Sequence, residues 1–176
     1  MDIDFLLIQK MKHGDENAFH VFVHKHYPAI LKYCHYHCPD LSYSEDITQE
    51  TFLRFFEKLS EYRYMGKTRN YLYTIAGNLC KDYGRKRKEC FLDEQEAEVQ
   101  SLPKPSETEA ILNRISMEKA LDSLPDELRE VIVLHYFHGL KLAEIAGILR
   151  IGLPLVKYRL GAGKKRLRQL LKEEDS

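Results

Sequence analysis

Apolar residues recur along this chain at helical spacing, and alternating strand patterns are hard to find. A short helix is predicted from Ile3 to Lys12, ended by Gly14. Asp15 is placed to cap a second helix running from Glu16 towards Cys38, with Phe19, Phe22, Val23, Ile30 and Tyr33 as its apolar positions. Pro28 should bend or interrupt it, and Pro39-Asp40 should stop it. Ser44 is the expected cap of a third helix, Glu45 to about Ser60, carrying Ile47, Phe52, Phe55, Phe56 and Leu59. Tyr62 to Lys67 reads as a loop around Gly66, and Thr68 as the cap of a fourth helix, Asn70 to about Lys88.

From about Glu89 to Ser106 the periodicity fades, acids accumulate, and the stretch ends in Pro103-Lys104-Pro105, which is the signature of a linker. Beyond it a helix is predicted near Glu107 to Ser123. Pro125 then opens another, as proline does at a first helical turn, with Leu128, Val131, Ile132 and His135 on one face and Gly139 at its end. A short helix follows with Leu142, Ile145, Ala146 and Leu149; Arg150-Ile151-Gly152 then leads into a last helix, Leu153 to about Lys172. The expected fold is all-α: two small helical domains, residues 1–90 and 107–176, joined by a flexible acidic linker, residues 91–106. Each is large enough to close around one core.

Charge changes the picture through its distribution. The 27 Lys and Arg balance the 27 Asp and Glu, so the formal net charge is +0. Yet Lys81, Arg85, Lys86, Arg87 and Lys88 face only Asp82, and Arg150 to Lys172 contains Lys157, Arg159, Lys164, Lys165, Arg166 and Arg168 with no acid. Between the two blocks lie Glu89, Asp93, Glu94, Glu96, Glu98, Glu107 and Glu109. Charge alone does not separate two polyanion-binding surfaces from two solvated helix faces. No apolar run is long enough to span a bilayer, and Met1-Asp2-Ile3-Asp4 is acidic, unlike a signal peptide; a cytoplasmic protein without membrane insertion is expected. Cys34, Cys38, Cys80 and Cys90 form no paired C-x-x-C framework.

Two short helices, a tight turn and a longer basic helix make a helix-turn-helix pattern. Small Ala143 and Ala146 would let the helices approach; Ile145, Leu149, Ile151, Val156 and Leu160 would form the seam, and Lys157, Tyr158, Arg159, Lys164 and Lys165 would project outwards. The segment Leu124 to Leu171 resembles region four of extracytoplasmic-function sigma factors. It carries Leu124-Pro125, Arg129-Glu130-Val131, Ala143-Glu144-Ile145-Ala146 and Val156-Lys157-Tyr158-Arg159-Leu160 in the family's order. The resemblance implies contact with the minus-thirty-five promoter element through Leu153, Pro154, Lys157, Tyr158, Arg159, Lys164 and Lys165. Gly152, Pro154, Leu155 and Tyr158 stand where Ser, Gly, Thr and Ser are usual, which bears on the base contacts rather than the fold.

The N-terminal half carries Asp46-Ile47-Thr48-Gln49-Glu50, in which Asp46, Gln49 and Glu50 fall at i, i+3 and i+4 and share one helix face. It resembles region two of the same family, and the resemblance implies that this face binds core RNA polymerase. Downstream, Tyr62, Tyr64, Tyr71, Tyr73 and Tyr83 interleave with Arg63, Lys67, Arg69, Lys81, Arg85, Lys86 and Arg87. Rings among cations suit single-stranded DNA, stacking on bases while charges follow phosphates, although Tyr71 or Tyr73 at least should pack in the core. The family's Trp-Leu-x-x-Ile-Ala-Arg-Asn pattern stands here as Tyr71-Leu72-Tyr73-Thr74-Ile75-Ala76-Gly77-Asn78. It implies minus-ten recognition and melting by Tyr62, Tyr64, Tyr71, Asn78, Lys81, Asp82, Arg85, Lys86 and Arg87. The upstream helix, with Ala18-Phe19 and Tyr27-Pro28, also fits the family.

Cys34-His35-Tyr36-His37-Cys38, with His24 and His26 upstream, invites a metal reading. One helix cannot easily aim these ligands into a closed tetrahedron, so Cys34 and His37 are expected in the core, the others on the surface, with no metal and no cofactor. Neither a nucleophile–base pair, a phosphate-cradling glycine loop nor an H-E-x-x-H motif supports an enzyme. The resemblance implies a sigma factor that binds core RNA polymerase and promoter DNA, both duplex and melted, for transcription initiation, with an anti-sigma factor as a further partner. The alternative is a free-standing helix-turn-helix regulator, which would need neither the Asp46 face nor the aromatic–basic helix.

Overall fold

A computed structural model describes residues 2–38, 40–91 and 116–174, and the chain divides into two compact units, residues 1–94 and 95–176. The described residues of both units are helices and connecting turns. The first unit holds α1 (Ile3–Lys12), α2 (Glu16–His37), α3 (Leu41–Glu57) and α4 (Thr68–Phe91). The second holds α5 (residues 116–122), α6 (Asp126–Ile132) continued by a π-helical turn (Val133–Phe137), α7 (Leu142–Leu149) and α8 (Leu153–Glu174). Residues 92–115, which include nearly all of the expected linker and the start of the expected Glu107 helix, lie outside the described residues; Glu89, Cys90 and Phe91 belong to α4.

Helix starts follow carboxylates. Asp2 accepts from the Asp4 N–H at 3.0 Å, Asp15 from Ala18 N–H at 3.2 Å, and Asp40 from Ser42 N–H at 2.8 Å. The last bond corrects the expectation for α3. Asp40 is its cap, and Ser44 lies inside the helix, buried, donating to the carbonyls of Cys38 (2.9 Å) and Asp40 (3.0 Å). Pro28 does not interrupt α2, which runs 22 residues with the proline on an exposed face. Missing one N–H there costs little where the freed carbonyl can meet water.

The core of the first unit is aromatic. Phe22 and Phe55 stack at 5.0 Å with 8° between planes, Phe52 meets Phe22 edge-on at 6.3 Å, and Tyr33 meets Tyr73 at 5.4 Å. Leu72, Ile30 and Ile8 fill the rest without exposure. α1 is seated on α2 through Leu7, Ile8 and Met11, and by Asp4 Oδ1, which accepts from Lys25 Nζ at 2.8 Å and meets His26 Nε2 at 3.0 Å.

In the second unit Val131, Ile132, Val133 and Leu134 are all buried in succession. An ordinary amphipathic helix cannot hide four consecutive residues; the turn here is π-helical, with His138 N–H reaching the Val133 carbonyl at 3.2 Å. Gly139 follows at φ 65°, where a side chain would be strained. Leu140, Ile145, Ile148 and Val156 complete the core.

Candidate nucleic-acid interfaces and a docking face

The inner face of α3 buries Ile47, Phe52 and Phe55 alongside three hydroxyls. Thr48 donates to the Ser44 carbonyl and Thr51 to the Ile47 carbonyl, both at 2.7 Å, so these polar groups are satisfied within the helix. That packing turns the opposite face to solvent. Asp46 and Gln49 are exposed and Glu50 is half-buried, held by Arg54 Nε at 2.8 Å. Gln49 hydrogen-bonds the Tyr27 hydroxyl, whose pKa is raised by burial and by the Glu45 carboxylate.

At the C-terminal end of this stripe stands Leu53, 57% exposed, three residues from Glu50 and four from Gln49. Sequence motifs alone do not single it out. Its one signal is a position opposite the apolar stripe, where a solvated helix normally places a polar residue. Beside α3, Phe19, His20, Val23, His24, Tyr27 and Pro28 of α2 line an open depression of about 430 Å³. Together these residues set exposed apolar side chains beside acidic, amide and histidine groups, a mixture suited to a protein-docking surface.

The tyrosines sort by burial. Tyr73 is fully buried, with its hydroxyl accepting from Arg69 at 3.1 and 3.2 Å, so it belongs to the core. Tyr62 and Tyr71 are half-buried and stacked on each other at 5.2 Å with 23° between planes. Tyr62 also donates to Thr68 Oγ1 at 3.3 Å. Tyr64 is half-buried, its hydroxyl bound to Asp2, and its pKa is pushed up to about 12 chiefly by that hydrogen bond. Tyr83 packs against Tyr43 at 4.7 Å.

Along α4, Asn78, Lys81, Asp82, Arg85 and Lys86 are exposed and Arg87 is half-buried; Arg85 pairs with Asp82 at 3.3 Å. Gly77, at the position where the family pattern carries Arg, is buried within α4. The loop and helix thus carry a strip of partly exposed rings followed by exposed positive charge.

In the second unit, α7 ends on Arg150, which takes the left-handed conformation (φ 53°, ψ 44°) while its N–H bonds the Ala146 carbonyl. Ile151 and Gly152 then lead directly into α8, placing Pro154 in its first turn, where no intrahelical N–H is needed. The seam differs in detail from the sequence reading. Ile145 and Val156 are buried, but Ile148 is the deep residue rather than Leu149; Leu149, Ile151 and Leu160 are half-buried and Ala143 is exposed. The close approach occurs between α8 and α6: a Cβ on Gly163 would lie 2.9 Å from Ile132 Cγ1.

Leu153, Pro154, Leu155, Lys157, Tyr158 and Lys165 are exposed, Tyr158 at 71%, and Lys164 is half-buried. Arg159 does not project outwards. Its side chain is 17% exposed, and its guanidinium pairs with Glu127 of α6 at 3.2 Å.

Cys34, Cys38 and Cys80 are buried and Cys90 is exposed. Cys38 therefore leaves the surface role the sequence suggested: it is the C-cap of α2 and is fully buried, with its thiol beside that of Cys80 on α4. Hydrogen bonds with the Cys34 and Cys38 thiols raise the Cys80 pKa, and burial adds to it. Among the described residues no group of three or more His, Cys, Asp or Glu is arranged to hold a metal ion, and no helix is long and apolar enough to cross a membrane.

The Sigma-70 region 2 family model matches residues 22–90, and the Sigma-70, region 4 model matches residues 114–167. The chain is 32% identical over 179 residues to the ECF RNA polymerase sigma factor SigW of Bacillus subtilis, covering 94% of this chain and 95% of that protein. It is 27% identical over 169 residues to the ECF RNA polymerase sigma-E factor of Salmonella typhimurium, covering 89% and 88%. Among solved structures, CnrH in complex with the cytosolic domain of CnrY aligns at TM-score 0.76 with 25% identity, covering 99% of this chain and all of that one. The sigma factor RpoE in complex with the anti-sigma factor NepR from Bartonella quintana shares the fold at TM-score 0.75 with 23% identity, covering 88% and 96%.

Proposed function

The chain belongs to the extracytoplasmic-function family of RNA polymerase sigma factors, non-catalytic initiation factors that bind core polymerase and promoter DNA, and from that premise we propose how its surfaces divide the work. It directs transcription initiation and is not a free-standing regulator. In this reading residues 1–90 dock on core polymerase and hold the minus-ten element, residues 107–176 read the minus-thirty-five element, and residues 91–106 tether them.

One observation carries the docking assignment: Asp46, Gln49 and Glu50 lead along α3 to Leu53, which is exposed where a solvated helix would carry a polar residue. Desolvating Leu53 supplies the favourable burial, and the polar rim selects a partner surface bearing donors and cations. Tyr62, Tyr64 and Tyr71 are the rings offered to unstacked bases; Asn78, Lys81, Arg85, Lys86 and Arg87 follow the strand, with Asp82 orienting Arg85. In the second unit the first two turns of α8 offer Leu153, Pro154, Leu155 and Tyr158 to base edges while Lys157, Lys164 and Lys165 serve phosphates. Arg159 acts at the rim, tied to Glu127 until a phosphate or base displaces that acid.

The reading places the protein in the cytoplasm, where polymerase is, and includes an anti-sigma partner; the complex of the sigma factor RpoE with the anti-sigma factor NepR supports that partner class. Run-off transcription with core polymerase on genomic fragments tests the whole assignment. Discrete start sites that depend on the chain are expected. Replacing Gln49 and Leu53 together should lower core affinity at least about tenfold, as truncation of a central residue does at protein interfaces; unchanged co-purification with core would overturn the docking face.

A further inference from the structure

The loop from Tyr62 to Lys67 joins α3 to α4, and its residues Arg63, Met65, Gly66 and Lys67 are exposed. What holds it comes from α1. Lys12 Nζ, at the C-terminal end of α1, donates to the Tyr62 carbonyl at 2.7 Å. Asp2, at the N-terminal end, uses one carboxylate oxygen to cap α1 through Asp4 N–H and the other to accept the Tyr64 hydroxyl. Phe5, between them, meets the Tyr64 ring at 5.5 Å with 59° between planes.

The helix making these contacts is itself fixed. Asp4 ties it to Lys25 and His26 of α2, and Leu7, Ile8 and Met11 are buried beneath it. The loop is therefore held from both ends of a helix about 15 Å long, at the usual rise per residue.

We propose that α1 is a positioning element for the Tyr62–Lys67 loop, and that Asp2, Phe5 and Lys12 set its base discrimination by holding Tyr62 and Tyr64 in one arrangement. This rests on the reading of that loop as the minus-ten contact. Stacking and base-edge contacts depend steeply on placement, and a shift of about 1 Å can cost on the order of a hundredfold where geometry is decisive. Asp2 and Lys12 need touch no nucleotide to act; they remove alternative loop conformations before DNA arrives, which lowers the ordering cost of binding.

The test uses holoenzyme reconstituted with Lys12→Ala, Asp2→Ala and the double variant, with Lys12→Arg as the conservative control. Three quantities are read: affinity for core polymerase, opening rates on promoters with single-base changes in the non-template strand of the minus-ten element, and the salt dependence of opening. The double variant should lose base discrimination about tenfold while core affinity stays within about twofold, and Lys12→Arg should retain discrimination. Lys12→Ala should leave the salt slope unchanged.

Unchanged discrimination in the double variant, beside impaired opening by an Arg85→Ala variant, would overturn the positioning role and keep the functional reading. A salt slope reduced by about 0.7 in Lys12→Ala would overturn it too, by making Lys12 a phosphate ligand. Core affinity and discrimination falling together with melting temperature would reduce α1 to a structural prop. If Arg85→Ala and Lys86→Ala also leave opening unaffected, the assignment of the loop and α4 to DNA fails instead.

Discussion

Single residues show where the chain is committed to its fold. Burial alone would raise the Asp4 carboxyl, but hydrogen bonds from His26 and Lys25 outweigh it and hold its pKa below the ordinary 3.8. A carboxylate with a depressed folded pKa contributes stability that is complete above its unfolded value and lost as pH falls through the folded one. Asp4→Asn should therefore cost about 1–3 kcal/mol near neutral pH, by loss of charge-assisted hydrogen bonds, and progressively less below about pH 4. Urea unfolding of both proteins across that range checks it; a gap that did not narrow in acid would refute the linkage. The same scale separates the thiols. Cys90 should alkylate in the native protein as an ordinary exposed thiol, whereas Cys34, Cys38 and Cys80, buried and with Cys80 disfavoured as a thiolate, should react only on unfolding. Peptide mapping after a short iodoacetamide pulse would show it, and equal labelling of Cys80 would contradict the buried cluster. Helical spacing is enough to place Cys34 in the core. Cys38 is not legible in that way, because it sits at the cap where α2 stops following helical periodicity.

Elements are legible wherever a stripe or a cap is strong. α1, α7 and the start of α8 stand where periodicity and glycine signals put them. α3 begins one turn earlier than its sequence suggests because Asp40 and Ser44 are both good caps, and only tertiary packing decides that Ser44 is buried. The π-helical turn is hidden for a related reason: Val131 to Leu134 reads as an ordinary apolar run, and nothing in it marks Val133 as the point where the pitch changes. The contact between α6 and α8 yields a sharp expectation. Gly163 leaves no room for a methyl group beside Ile132, so Gly163→Ala should destabilise the second unit by about 1–3 kcal/mol, the usual cost of overpacking, despite alanine's better helix propensity. Adding Ile132→Val should recover part of that loss, because it removes the Cδ1 methyl, which would lie 3.2 Å from the alanine Cβ, and frees the remaining branch to shift. Thermal unfolding of the single and double variants measures the coupling; simple additivity of the two changes would place the strain elsewhere.

At the scale of the whole chain, a net charge of +0 gives no long-range attraction to DNA, so binding has to arise from local blocks. The basic run from Arg150 to Lys172 is such a block, but its members are not equivalent. Lys157 and Lys165 are exposed, whereas Arg159 already has Glu127 as its counter-charge, so releasing DNA counterions through Arg159 would first require giving up an existing pair. The apolar and aromatic residues of the same helix, Leu155 and Tyr158, are exposed and carry no charge, so they release no counterions and their expected contribution is to which bases are accepted. Affinity and specificity should therefore separate experimentally in the holoenzyme bound to a promoter. Replacing Lys157 and Lys165 by alanine should lower the slope of log affinity against log salt by about 0.9 for each phosphate no longer neutralised, with preference among upstream-element sequences retained. Tyr158→Ala should leave the slope alone and change that preference, by about 1–3 kcal/mol at the base pair it touches. Both effects appearing in one variant would mean that charge and ring act on the same phosphate and base, and the division of α8 into a reading turn and a phosphate-bound stem would fall.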